Sequence, residues 1–385
     1  MKKLKTRENN MKIATFNIQN IFHRDRSYLV NPYDKCNNEW LIEIDGLMGK
    51  PIKTNGDKDR LRELTFFIGI DNSLQLPYAV LRRKAGFLFL KGMNYSKELQ
   101  AGELTDWNGW IALQNYPLDP RAVENKARVI AEVNPDILIL QEIEDRASLT
   151  EFNEVFLPKF NCKPFHYTFV VQGNDKRGQE IGLLTRSDIE ILSVRSHSYD
   201  YKITKEPIFN KDLLEYEIRS VKGNIIYVLA THLQEQTEDK EISDNIREGQ
   251  TKRIAEVYKQ LYAQGKKYIA IVGTLNAVSY CYSLSPLLIK TNLKDITKHQ
   301  SFQVDVDKGV DAEYHSLGAY RMGVNIKQKD YLLLSPELFN KVQSSGLNRK
   351  GIWPEKQPIW SYFPSINQKN QAASEHPVIW GNFEI

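Results

Sequence analysis

The 385-residue sequence has few cysteines, no long apolar runs and little net charge. Its three cysteines, Cys36, Cys162 and Cys281, are far apart and form no C-x-x-C pair. This usage favours neither a disulfide framework nor a thiolate zinc site. No apolar segment is long enough to span a bilayer, so we expect no membrane span. The net charge of +4 does not by itself indicate a protein that coats nucleic acid.

The start of the chain also lacks a targeting pattern. The basic residues 2–5 are followed by polar residues 6–10, where a signal peptide needs an apolar stretch. We therefore expect no signal peptide and predict a cytoplasmic protein, and no obligate protein partner is inferred. The hydrophobic content of 41% is ample for a sizeable core.

Short apolar runs with strand character dominate what is present, and helical patterns are few and long. Strands are predicted at residues 12–18, 137–140, 181–184, 225–230, 268–272, 331–334 and 378–385. Helices are predicted at residues 122–134, where Pro135 follows, and 244–264, where Gly265 follows. Because this order is not a strict βαβ alternation, we predict a four-layer α/β sandwich, two packed mixed β-sheets flanked by helices.

One long segment does not follow this rhythm. Residues 23–121 contain turn signals at Asn55–Gly56 and Asn108–Gly109 and a basic cluster at 82–84. We predict one domain over residues 11–385, with 23–121 as an insertion within it.

Polar residues stand where the predicted apolar strands end. They are Asn17, Glu142, His232, Thr274, Asn276, Asp330 and His376. Taken singly, each has a simpler interpretation as a turn residue, a helix cap or a satisfied structural group. A fold that brings strand ends together would gather them in one pocket, where carboxylate, amide and imidazole groups suit a hard divalent cation acting on a phosphate ester.

These segments resemble, in order, the motifs of the endonuclease/exonuclease/phosphatase superfamily, which includes deoxyribonuclease I. The matching segments are Phe16–Asn20, Pro135–Glu142, Asp175–Gly178, Thr231–Leu233, Gly273–Asn276, Asp330–Pro336 and Ser374–His376. The resemblance covers residues 11–22 and 122–385. The long insertion is similar to that of a bacterial subgroup of presumed nucleases.

The resemblance implies a role for each matching residue. Metal ligands would be Asn17, Glu142 and Glu375, with Mg²⁺ or Mn²⁺ as the ion. Catalytic groups would be His232, Asn276, Asp330, His376 and the residue at position 274. Substrate contacts would come from Arg177, Asn276 and His232, with nucleic acid or another phosphodiester as the substrate.

Three positions depart from the motifs. Thr274 stands where the motif has aspartate, and threonine cannot ionise. Glu375 replaces the usual aspartate with a longer side chain, and Lys211 stands where an arginine is expected. Three hypotheses therefore remain open: a metal-dependent phosphodiesterase or nuclease, with activity impaired by Thr274; a degenerate member that binds without cleaving; and a phosphodiesterase for a small phosphate ester or phospholipid.

Overall fold

The computed structural model describes residues 10–19, 35–48, 50, 52–68, 79–85, 88–91, 109–113, 119–175, 179–304, 328–354 and 360–385. The strands are β1 Met11–Asn17, β2 Ala79–Ala85, β3 Leu88–Lys91, β4 Gly109–Leu113, β5 Ile137–Ile143, β6 Tyr167–Val171, β7 Glu180–Thr185, β8 Glu190–Ser196, β9 Leu213–Arg219, β10 Ile225–His232, β11 Ile269–Thr274, β12 Lys294–Asp295, β13 Phe302–Gln303, β14 Asp330–Leu334, β15 Val342–Asn348 and β16 Val378–Phe383. The α-helices are α1 Lys35–Met48, α2 Asn55–Ile68, α3 Pro120–Val133, α4 Arg146–Glu151, α5 Lys240–Ala263, α6 Ser285–Leu288 and α7 Pro336–Phe339.

Two mixed sheets form the centre of the molecule. The first has the strand order β13-β15-β16-β1-β5-β7-β6, and the second has the order β12-β14-β11-β10-β9-β8. Within them β1 runs parallel to β5 and β10 runs parallel to β11, while the neighbours on either side run antiparallel.

Alternating side chains along the strands divide the core into three layers. Ile13 and Val272 belong to the layer shared by the two sheets. Phe16 on the other face of β1 packs with Ile130 of α3. The outer face of the second sheet packs in the same way against α5. Since helices cover both outer faces, the predicted four-layer α/β sandwich is confirmed.

The long segment between β1 and α3 is described only in pieces. It contributes α1, α2 and a separate three-stranded sheet with the order β3-β2-β4. The ring of Trp40 stacks on Phe67 at 5.1 Å between α1 and α2. That 23–121 is an insertion within a single domain stays a prediction. Across the ranges that are described, no helix has the length and apolar character to cross a bilayer.

Candidate functional site

Strand direction brings the predicted site residues to one edge of the two sheets. The parallel pair β1 and β5 ends at Asn17 and Ile143, with Asn17 opposite Gln141. The parallel pair β10 and β11 ends with His232 opposite Thr274. Asp330, the first residue of antiparallel β14, lies opposite Thr274. Carboxyl ends of parallel strands are a common place for ligand sites in α/β folds.

Asn17 and Glu142 form the contact between the ends of the first two strands. The Asn17 side-chain amide donates to Glu142 Oε1 at 3.1 Å, and both residues are buried. Asn17 Oδ1 accepts from the Gln19 backbone N–H at 3.1 Å. Glu142 has φ 64° and lies where the register of β5 shifts between Gln141 and Ile143. Such a bulge redirects a side chain. The strained backbone conformation of Glu142 therefore sets the direction of its carboxylate.

His232 lies against Glu142 and a buried lysine. Its Nε2 is 3.9 Å from Glu142 Oε1. Lys211 Nζ lies 3.0 and 2.9 Å from the two ring nitrogens of His232 and 3.0 Å from Glu235 Oε1. An ammonium has only donors and a neutral imidazole has one acceptor nitrogen, so Lys211 can donate to only one of the two ring nitrogens. The same ammonium holds Glu235 beside His232.

Thr274, Asp330 and His376 form a second chain of contacts. The Thr274 hydroxyl donates to Asp330 Oδ1 at 2.7 Å, and His376 Nδ1 lies 2.7 Å from Asp330 Oδ2. Burial lowers the pKa of His376, but the charge and hydrogen bond of Asp330, with the charge of Glu142, outweigh it and raise the pKa overall. Thr274 is fully buried, so its hydroxyl acts through Asp330.

The segment that carries His376 is fastened to the end of β1. Ser374 Oγ donates to the Asn17 carbonyl at 2.7 Å. The Glu375 backbone N–H donates to Gln19 Oε1 at 2.6 Å. The Glu375 carboxylate itself forms an exposed ion pair with Lys369 at 3.1 Å. The metal-ligand role of Glu375 stays a prediction, and metal binding there would have to replace this ion pair.

Asn276 ends the row of strand-end residues. It has φ 55°, and its side-chain amide donates to the Leu233 carbonyl at 2.9 Å. Gly273, three positions earlier, has φ 136°, and a Cβ there would lie 1.9 Å from the Thr231 carbonyl oxygen. Only glycine allows β10 and β11 to approach this closely. Arg177, the predicted substrate contact, lies outside the described residues.

Comparisons with known proteins find distantly similar structures but no matching sequence family. No protein-family model and no curated protein matches the sequence. Truncated TDP2 of Caenorhabditis elegans is 18% identical over 69% of this chain and 93% of its own, with a TM-score of 0.43. A mannosyl-6-phosphatase of Bacteroides thetaiotaomicron is 12% identical over 68% and 90%, with a TM-score of 0.46. An endonuclease/exonuclease/phosphatase family protein of the same bacterium is 11% identical over 97% of both chains, with a TM-score of 0.47.

The two packed sheets bring the predicted site residues to one sheet edge. The chain has an α/β-sandwich fold of two packed mixed sheets flanked by helices. The fold that the resemblance implies is confirmed by this architecture, while membership of the superfamily and of its bacterial subgroup stays a prediction.

Within this fold the structure adds residues that the sequence did not single out. Lys126 is 2% exposed on α3, and burial lowers its pKa to about 7 against the opposing charge of Glu142. A signal was present, since Lys126 shares the helix face of Val123, Ala127 and Ile130. Glu235 gave no signal, because it lies in a polar loop after β10.

The residues present fit a divalent cation. Glu142, His232 and Glu235 each offer one ligand atom, and these atoms all lie within 4.8 Å of one another. Two carboxylates are the oxygen ligands that Mg²⁺ and Mn²⁺ prefer, and water commonly completes the coordination of such ions. Asn17, predicted as a direct ligand, orients Glu142 through its amide nitrogen, and its own ligand role stays a prediction.

Proposed function

We propose that this protein is a metal-dependent phosphodiester hydrolase that acts on nucleic acid. One observation supports the proposal above the others. A group of potential metal ligands, Glu142, His232 and Glu235, shares a sheet edge with the Asp330–His376 pair. The first can hold a cation against a phosphate, and the second can move a proton.

The cation would be held by Glu142 and Glu235, with His232 beside them. When bound, it supplies positive charge that offsets the charge of the phosphoryl oxygens. Asn17 keeps Glu142 in place through its amide. Lys211, just before β9, and Asn276, just after β11, offer further N–H donors for phosphoryl oxygens. To donate to a substrate, they would leave their present contacts with His232 and the Leu233 carbonyl.

His376 is the proton-transfer group in this scheme. Its Nδ1–H donates to Asp330, so Nε2 remains to accept a proton from the attacking water. Asp330 is fixed in turn by the Thr274 hydroxyl. Thr274 therefore holds Asp330, which in turn holds His376. This positioning role requires no charge on Thr274.

A second candidate function is binding of a phosphate-containing ligand without cleavage. Thr274 favours it, because a hydroxyl committed to Asp330 supplies neither a general base nor an anionic ligand. The retained Asp330–His376 pair favours hydrolysis, because a site that only binds has no need for a proton-transfer dyad.

The test is a cleavage assay with supercoiled plasmid, single-stranded DNA, RNA, an aryl phosphodiester and a sugar phosphate, each with Mg²⁺, Mn²⁺ or EDTA. We expect metal-dependent cleavage of nucleic acid. E142Q should abolish it, whereas E154Q, at an exposed glutamate, should not. Cleavage of the sugar phosphate alone would redirect the proposal to small esters. Salt-dependent binding of nucleic acid without cleavage of any substrate would contradict hydrolysis and support the binding function.

A further inference from the structure

The site needs negative charge that position 274 does not provide. Thr274 is fully buried, and its hydroxyl donates to Asp330, whose other oxygen is taken by His376. Asp330 is thereby committed to the histidine. Among the strand-end residues predicted from the sequence, this leaves Glu142 as the buried carboxylate for a cation.

The loop after β10 brings a second carboxylate to the same place. His232, the last residue of β10, lies opposite Thr274 across the parallel pair with β11. Glu235 follows His232 by three positions, in the loop between β10 and α5. Its carboxylate oxygen and the Glu142 oxygen fall within 4.8 Å of each other and of a His232 ring nitrogen.

The two glutamates reach this point from different sheets. Glu142 belongs to β5 of the first sheet, and Glu235 follows β10 of the second. Glu235 is fixed by Lys211, whose ammonium lies 3.0 Å from its Oε1 and is only 2% exposed. The ion pair restrains the Glu235 side chain, so little side-chain freedom is lost on binding, and a cation must compete with the Lys211 ammonium for this carboxylate.

We propose that Glu235 is the second anionic ligand of the divalent cation and supplies the negative charge that Thr274 lacks. This inference rests on the proposed function, because it concerns the same cation. It assigns the charge balance to the two glutamates, with His232 as a neutral nitrogen ligand, and Lys211 pairs with Glu235 when the cation is absent. The second negative charge of the site therefore comes from Glu235 in the loop after β10. From β11, the Thr274 hydroxyl contacts Asp330, the partner of His376.

The test is the affinity for Mn²⁺, measured by titration calorimetry and by the paramagnetic resonance signal of free Mn²⁺. The unmodified protein is compared with E235Q, E235D, E142Q and E238Q. Glu238 is an exposed glutamate in the same loop and is the matched control. We expect E235Q to weaken Mn²⁺ binding by about tenfold or more, since even residues behind the direct ligands commonly cost that much. E235D, which keeps the charge, should bind more tightly than E235Q, and E238Q should bind as the unmodified protein does.

The outcomes separate this inference from the proposed function. If E142Q loses Mn²⁺ binding and E235Q keeps it, the cation site stands and the role of Glu235 is overturned. If the unmodified protein binds no Mn²⁺, both the inference and the metal-dependent function are overturned. Equal urea midpoints for E235Q and E238Q show that a loss of affinity is not a loss of folding.

Discussion

Replacing Thr274 with aspartate restores the residue of the superfamily motif, yet the structure predicts that it harms this protein. The Thr274 hydroxyl donates to Asp330 Oδ1 at 2.7 Å, and the two residues are 0% and 4% exposed. An aspartate there replaces a donor with a second buried carboxylate. The substitution removes a hydrogen bond to a charged group, which contributes about 1.5–3 kcal/mol.

Charge repulsion adds to this loss. Two ionised carboxylates about 4 Å apart repel by about 4 kcal/mol at an effective dielectric constant of about 20. The folded variant relieves the repulsion by keeping one proton on the two carboxylates. The pKa of that carboxyl pair is therefore raised above its value in the unfolded chain. Stability must then fall as pH rises, because the unfolded state has released a proton that the folded state retains.

The assay is urea unfolding of T274D, T274N and the unmodified protein at pH 5 and pH 8, with EDTA present. We expect T274D to lose about 6 kcal/mol at pH 8, where the lost hydrogen bond and the repulsion add, and about 2 kcal/mol at pH 5, where the retained proton relieves the repulsion. T274N has the same shape without the charge and supplies a donor to Asp330, so it should lose less and show no added pH dependence. If T274D matches T274N at both pH values, the buried contact of position 274 with Asp330 is wrong.

Two further predictions concern the backbone and a buried acid. G273A should destabilise the protein by more than about 1 kcal/mol in urea unfolding, because its Cβ meets the Thr231 carbonyl. The control G249A, in the exposed middle of α5, should stabilise it by up to about 1 kcal/mol. Equal effects of the two substitutions would refute the close approach of β10 and β11. Burial raises the pKa of Asp212 to about 7, against hydrogen bonds such as that from Ser196. The folded state therefore keeps a proton that the unfolded state loses above pH 4, and stability should fall by about 3 kcal/mol between pH 5 and pH 8 through this group. D212N should remove this loss of stability between pH 5 and pH 8. An unchanged pH dependence of urea unfolding in D212N would count against a raised pKa of Asp212.

Most central strands were predictable because both of their faces are buried, but β9 and β15, which also lie inside the sheets, were missed. Strands such as β5 and β11 are continuous apolar runs, which is the pattern of a fully covered strand. The edge strands β6 and β8 were not predicted, because their side chains are partly exposed and carry little apolar pattern. Pairing with a neighbour, and not local composition, makes them strands.

The site was predictable only where it follows from strand ends. Asn17, Glu142, His232, Asp330 and His376 come together because their strands end or begin at one edge, and the apolar runs locate those ends. The contact of Lys211 with His232 and Glu235 arises from the packing of loops around β10, which no local pattern records. The exposed ion pair of Glu375 with Lys369 lies within one irregular segment before β16, which has no periodic pattern that could predict it.

The central claim assigns cation binding to Glu142 and proton transfer to His376. The most direct test measures Mn²⁺ affinity and the rate of phosphodiester cleavage together in E142Q and H376A. We expect E142Q to lose both, because without its carboxylate the cation is not held. H376A should keep Mn²⁺ affinity while the cleavage rate falls by about 10²–10⁴-fold, the contribution typical of a general base. Full cleavage by H376A, or unchanged Mn²⁺ affinity in E142Q, would contradict the account.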